Sequence, residues 1–254
     1  MSSNRLSKPN KPLRREKRRG AFPIFHMERD KKYRLIIFDF DNTLYDGHLY
    51  AMRLVMRNLR HALWAKAERK VRRSLAGIDL GCGDALRQEM AMRLAAETGA
   101  KASLISSWYS EKYLPSMTQT LKSAYAARHG AKETIAALIN AGTMVGVLSD
   151  YPNTEQRMEA IGLNDERIGK WSAEEMGALK PSARPFAEVA KAMNVAPDET
   201  LVIGDRADTD GGGAKAAGMD ALLIEGKRAT KECGFDVMSW NDICKLLISN
   251  SMSK

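Results

Sequence analysis

The stretch that most constrains this chain is "RLIIFDFDNTLYDG", residues 34–47. A short apolar run rich in Ile and Phe ends in two aspartates one residue apart, then turns polar. Such a run suits a strand buried on both faces, as in the middle of a parallel sheet. Carboxylates at its carboxyl end lie where open parallel sheets bind their ligands.

The rest of the chain supports that reading in part. "TMVGVLSD" (143–150), "ETLVIGD" (199–205) and "MDALLIE" (219–225) are predicted strands. "AKETIAALINAG", "NTEQRMEAIG", "ARPFAEVAKAMN", "GGGAKAAG" and "WNDICKLLIS" are predicted helices that alternate with them. Alternating β and α predicts an α/β fold built on a doubly wound, Rossmann-like parallel sheet. From Leu49 to about Ala127 the pattern changes. "YAMRLVMRNLRHALWAKAERKVRRSL", "DALRQEMAMRLAAET" and "MTQTLKSAYAAR" place apolar residues three and four apart, with no convincing strand between them. About four helices are expected there. The expected organisation is a core of residues 33–47 and 128–254, with residues 48–127 inserted as a helical domain.

Charge sharpens the division. The chain has 254 residues and a net charge of +9, but residues 1–32 hold 11 Lys and Arg against three acids, a net of +8. The remainder is nearly neutral. Residues 1–32 are expected to be a disordered tail. Residues 1–26 are the one part suited to nucleic acid or an acidic partner. A targeting segment, or a start at Met27, fits the same composition. No stretch has the length of an apolar membrane span, so no membrane insertion is expected. Three cysteines without Cys-x-x-Cys spacing argue for reduced thiols in a cytoplasmic protein rather than a disulfide framework or zinc site. Oligomeric state is not readable.

Polar residues collect at the predicted strand ends. Asp39 and Asp41 follow the first strand, Ser149 and Asp150 close the second, and Asp205 closes the third. Asp208 and Asp210 lie just beyond, and Lys180 sits in the loop "GALKPSARPF". Clustered carboxylates repel one another and are costly to desolvate. A hard divalent cation with oxygen ligands removes that cost, and Mg²⁺ suits the set. Asp39 and Asp205 are first-choice ligands, with Asp210 a further ligand or a residue that orients one. A lysine and a serine hydroxyl facing the same point would hold an anion. Together these parts describe phosphoryl transfer with a carboxylate nucleophile. If Asp39 and Asp41 share a face, one can attack phosphorus while the other serves the leaving oxygen and then the water.

The order of these parts resembles the haloacid dehalogenase superfamily, in its phosphatase branch. The motifs are "DFDNT" (39–43), Ser149 in "VGVLSD", Lys180 in "LKPSARPF" and "GDRADTD" (204–210), and the likeness runs from residue 34 to about 248. The resemblance implies that Asp39 is nucleophile and metal ligand, and that Asp41 is acid/base and lends its backbone carbonyl to the metal. Thr43, Ser149 and Lys180 group around the phosphate, Thr43 by supporting its loop. Asp205 and Asp210 complete the Mg²⁺ site. The inserted helices would be a mobile cap. Asp41, absent from the dehalogenases and the phosphonate-cleaving relatives, favours an oxygen leaving group. The expected substrate is a small phosphate monoester, such as a sugar phosphate, phosphoglycolate or a nucleotide, hydrolysed through an aspartyl-phosphate. A phosphotransferase or phosphomutase would use the same residues, and a binding protein acting through its tail is a third reading. Arg53, Arg57 and Arg60 would share one helix face and could meet an anionic substrate, although such a face is more often solvated. Trp64 and Met56 are expected in the cap's own core.

Overall fold

The computed structural model describes residues 31–47, 59–230 and 232–252. The basic tail up to residue 30, Met27, Arg53, Met56 and Arg57 lie outside the described residues. Six strands form one parallel sheet: β1 (Leu35–Asp39), β2 (Met144–Ser149), β3 (Gly169–Ser172), β4 (Thr200–Gly204), β5 (Asp220–Ile224) and β6 (Asp236–Met238). Their order is β3-β2-β1-β4-β5-β6, with β1 paired to β2 and β4. The order turns at β1, so the chain crosses to opposite sides from there, as a doubly wound sheet requires.

The interior position of β1 explains its composition. Ile36 and Phe38 pack into the apolar layer on one face, and Leu35 and Ile37 into the layer on the other. All five β1 residues are buried. The first layer is closed by α5 (Ala131–Asn140), α6 (Thr154–Ala160) and α10 (Trp240–Met252), and the second by α8 (Ala183–Ala192) and α9 (Gly212–Ala216). Strands β3 and β6 were not expected from sequence. They are four- and three-residue edge strands, "GKWS" and "DVM", largely half-buried, and so carry no apolar run.

Between β1 and α5, the described chain is mostly helical: α1 (Leu59–Ser74), α2 (Gly83–Thr98), α3 (Ala102–Trp108) and α4 (Leu114–Ala124). A π-helical turn, Tyr109–Tyr113, joins α3 to α4. These helices own a separate apolar cluster that includes Leu86, Met90, Leu94, Ile105, Trp108 and Met117. Trp64 is in it, edge-on to Trp108 at 5.4 Å between ring centroids. Arg60 stands in α1. One buried member comes from outside the inserted segment: Leu179, next to Lys180. Backbone bonds tie the same seam, from Gly77 N–H to the Leu179 carbonyl and from Leu80 N–H to the Gly177 carbonyl. The four-residue helix α7 (Ala173–Met176) ends there at Gly177, with φ of +83°. A Cβ on Gly177 would fall 2.3 Å from the Cys82 carbonyl carbon, so both the turn and the close approach require glycine. No described helix is long and apolar enough to cross a membrane.

Candidate active site

The strand ends deliver the expected residues to one place. Asp39, Asp41, Lys180, Asp205 and Asp210 line a cavity of about 650 Å³ between the sheet and the inserted helices. Asp39 is the last residue of β1. The turn after it passes through Asn42 in the left-handed region, φ 64°, which asparagine tolerates. Arg128 fixes that turn by donating to the carbonyls of Asn42 (2.7 Å) and Thr43 (3.0 Å).

Asp39 is gripped from both sides. The Thr43 hydroxyl donates to one oxygen at 2.9 Å, and Lys180 Nζ to the other at 2.5 Å. Lys180 also donates to Asp210 at 2.8 Å. Thr43 is fully buried beneath the cavity, so its hydroxyl is committed to Asp39. Asp210 reaches over the end of β4 because residue 204 is glycine: a Cβ there would lie 2.4 Å from the Asp210 side chain. Asp210 also accepts from the backbone N–H of Arg206, at 3.1 Å.

One carboxylate oxygen from each of Asp39, Asp205 and Asp210 lies within 4.8 Å of the others. Burial, with Asp210, Asp205 and Asp41 nearby, pushes Asp39 well above its usual carboxylate range despite Lys180. Asp205 is pushed up to about 6, by burial and then by Asp210. Burial opposes the charge on Lys180, but Asp210 and Asp39 outweigh it and hold the ammonium well above its usual range. Against the three carboxylates stand the buried Lys180, bonded to Asp39 and Asp210, and the half-exposed Arg228, 3.6 Å from Asp205. Three oxygen donors with surplus negative charge fit a hard divalent cation, and these residues could hold Mg²⁺.

Asp41 is handled differently. Its two oxygens accept from Arg157 Nη2 at 2.6 and 2.8 Å, and one also accepts from the Tyr45 hydroxyl at 2.6 Å. Ser149 lies fully buried behind it and donates to Asp41 at 3.4 Å. Burial alone would raise the Asp41 carboxyl, yet the Arg157 guanidinium and the hydrogen bonds hold it below its usual range. The two carboxylates of "DFDNT" thus have opposite environments. Asp150 accepts from the Lys180 backbone N–H at 3.0 Å and so fixes the lysine loop.

Sequence reasoning placed seven residues here, put Asp150 at a strand end without giving it a role, and missed Arg157 and Tyr45. Arg157 lies in "NTEQRMEAIG", where an arginine between Gln and Met reads as an ordinary solvent-facing residue. Tyr45 could have been found, since it lies four residues after Asp41 in the same turn.

A family model described as haloacid dehalogenase-like hydrolase matches residues 33–218. A glyceraldehyde 3-phosphate phosphatase of Pyrococcus furiosus is 33% identical over 98 residues, 38% of this chain and 41% of that protein. A ribulose-1,5-bisphosphate 5-phosphatase of Halopiger xanaduensis is 28% identical over 97 residues, 37% of this chain and 41% of that protein. The matched stretches span 22–54% of the length of the curated relatives. Among solved structures, the HAD-hydrolase YfnB from Bacillus subtilis, bound to magnesium, superposes with a TM-score of 0.61 at 19% identity. It covers 85% of this chain and 99% of its own. At that identity the likeness shows the fold.

Proposed function

The chain belongs to the haloacid dehalogenase-like hydrolases, and from that premise we propose that it hydrolyses a small phosphate monoester by way of an aspartyl-phosphate on Asp39. The observation that carries this is the pair of carboxylates at the end of β1. Asp39 is buried between Thr43 and Lys180, and Asp41 two residues on faces the same cavity.

An oxygen of Asp39 attacks phosphorus as the bond from phosphorus to the leaving oxygen breaks. Asp41 gives that oxygen its proton. Water then attacks the phosphorus held on Asp39, Asp41 takes a proton from it, and the bond to Asp39 breaks. Inorganic phosphate leaves, and Asp41 is protonated again. The pairing with Arg157 suits Asp41 to the base half of this cycle. Negative charge on an arriving phosphoryl group offsets Arg157 and favours the protonated form for the acid half.

Lys180 and Ser149 hold the phosphoryl oxygens in this scheme, and Thr43 holds the turn and Asp39. Asp39, Asp205 and Asp210, with the Asp41 backbone carbonyl, would hold Mg²⁺. The bound ion supplies charge neutralisation that lets an anionic phosphate approach an anionic nucleophile. Helices α1 to α4 serve as a cap over the cavity, excluding water while Asp39 carries the phosphoryl group. The curated relatives named phosphatases support hydrolysis over transfer to a second hydroxyl. The substrates in their names support three- to five-carbon phosphates as the first compounds to assay.

The test is phosphate release from a panel of such esters, with Mg²⁺ and with EDTA, by wild type and Asp39→Asn. Release that requires both Mg²⁺ and Asp39 is expected. Release that persists in Asp39→Asn sinks the assignment of the nucleophile.

A further inference from the structure

Arg157 is the largest fully buried side chain of the described protein, with 1% exposure. It sits on α6, eight residues after Ser149, beside the apolar Met158. Burying a guanidinium carries a large desolvation cost, which persists only where the charge is paired and hydrogen-bonded. Asp41 and Ser149 of the site are among its hydrogen-bond partners. Nη2 donates to both oxygens of Asp41, and Nη1 to the Ser149 hydroxyl at 2.7 Å. The guanidinium carbon lies 4.6 Å from the centroid of the Phe40 ring, in the residue between the two aspartates, and 5.5 Å from that of Tyr151. The Tyr151 backbone N–H donates to the same Ser149 hydroxyl at 3.1 Å.

This is a fork-shaped cation whose prongs hold the Asp41 carboxylate at the cavity and the Ser149 hydroxyl buried behind it. A carboxylate held at one point can still rotate about its last bond. A carboxylate held at both oxygens cannot. The aromatic faces of Phe40 and Tyr151 set the plane of the guanidinium, and Tyr45, in the same turn as Asp41, adds a bond to its carboxylate. The position of the Asp41 carboxylate is thereby tied to that of the Ser149 hydroxyl.

We propose that Arg157 is a positioning residue for the acid step: it fixes the carboxylate of Asp41 and the hydroxyl of Ser149 as one unit, so that the proton is delivered to the leaving oxygen of a phosphoryl group held by Ser149. This rests on the phosphatase reading above. Arg157 acts through Asp41 and does not touch the reacting atoms. Lysine cannot replace it, because a point charge cannot serve two oxygens and a hydroxyl in one plane.

The experiment compares two leaving groups. An alkyl phosphate needs a proton on its departing oxygen, whereas p-nitrophenyl phosphate releases a stable phenolate and needs little help. The quantity measured is kcat/KM with Mg²⁺, which reports the steps up to departure of the alcohol. In Arg157→Gln, kcat/KM for the alkyl ester should fall about a hundredfold, the scale of general acid catalysis, and that for the nitrophenyl ester less than about tenfold. Arg157→Lys should show the same split. Guanidinium ion added to Arg157→Ala should restore alkyl ester hydrolysis preferentially. Tyr45→Phe, a milder change on the same carboxylate, should show a split of the same sign and remains available if the arginine variants fail to fold. Equal losses on both esters, from protein that melts cooperatively, overturn the inference, because a merely structural role slows both alike. Wild-type rates in Arg157→Gln overturn it too. A wild type that hydrolyses neither ester removes the phosphatase reading itself, and the inference with it.

Discussion

Two places among the described residues bury a cation between two carboxylates. At the cavity, Lys180 bridges Asp39 and Asp210. Between the inserted helices and the sheet, Arg72 of α1 bridges Glu68 and Glu174, at 2.7 and 2.5 Å. The surroundings differ. Arg72 also donates to the Tyr109 hydroxyl at 2.7 Å and to the Asp150 carbonyl at 3.1 Å, and it lies 3.9 Å from the centroid of the Tyr151 ring. Glu68 accepts from the hydroxyls of Tyr113 and Tyr151. Tyrosine hydroxyls also bond both glutamates, which are fully buried, and one oxygen of Glu174 is left without a partner. The Lys180 cluster carries a third carboxylate, Asp205, and opens on the cavity. Surplus charge with an opening marks a place that awaits a ligand. At Arg72, which edges the same cavity, the charge is matched by two glutamates and neighbouring hydroxyls that tie the inserted helices to the sheet, and this marks a joint.

That contrast can be broken most decisively at Asp39. Asp39→Asn should lower phosphate release at least about a thousandfold, the scale for loss of a nucleophile. It should leave the melting temperature of metal-free protein unchanged or higher, since it removes one of three crowded carboxylates. A large loss of stability would mean the cavity cluster is a joint after all.

The reverse pattern is expected at Arg72. Arg72→Met strands two buried glutamates and should cost about 3–5 kcal/mol in urea unfolding, the range for breaking a buried pair. Replacing Glu68, Arg72 and Glu174 together by apolar residues of similar size should recover most of that. If the triple variant is no more stable than Arg72→Met, the charges are not what holds the joint.

The pH dependence gives a smaller effect. Asp205 is an acid raised from 3.8 to about 6 in the folded state. The folded protein therefore binds its proton more tightly than the unfolded chain. Its contribution to stability falls as pH rises through that window, and the penalty is complete above it. The span corresponds to a few kcal/mol. Metal-free protein should lose this much between pH 4 and 6 at Asp205, and Asp205→Asn should lose less. Added Mg²⁺ should raise the melting temperature more at pH 7.5 than at pH 5. Equal shifts at both pH values would contradict a carboxylate metal site.

The smallest effect is expected at a surface pair. Arg184 holds Asp79 with two bonds, at 2.6 and 2.8 Å, where both side chains are partly exposed. Asp79→Asn should cost less than about 1 kcal/mol in the same urea measurement.

How far the sequence carried these conclusions follows from the same contrast. Strands β1, β2, β4 and β5 are visible because inner parallel strands must be apolar on both faces. Strands β3 and β6 are edges, so "GKWS" and "DVM" carry no such mark. The cavity carboxylates are legible because they stand at strand ends, where no packing argument accounts for them. The residues 102–113 hold α3 and the π-turn, and "ASLISSWYSEKY" has too mixed a pattern to announce either. Arg72 and Arg157 are invisible for a different reason. In "ERKVRRSL" and "NTEQRMEAIG" each looks like one of many helix arginines facing water. Only the packing shows that these two are buried, and only the partners show that one serves a joint and the other the site.

The apolar anchor of Leu179 among the inserted helices has a mechanical consequence. Leu179 precedes the lysine that grips Asp39, and its carbonyl is bonded to Gly77 in the loop after α1. A hinge motion of those helices must either tear this seam or drag the lysine with it. In the second case, moving those helices away would withdraw a positive charge from Asp39, and their return would restore it. Access to the cavity and the reactivity of Asp39 would then be worked by a single lever.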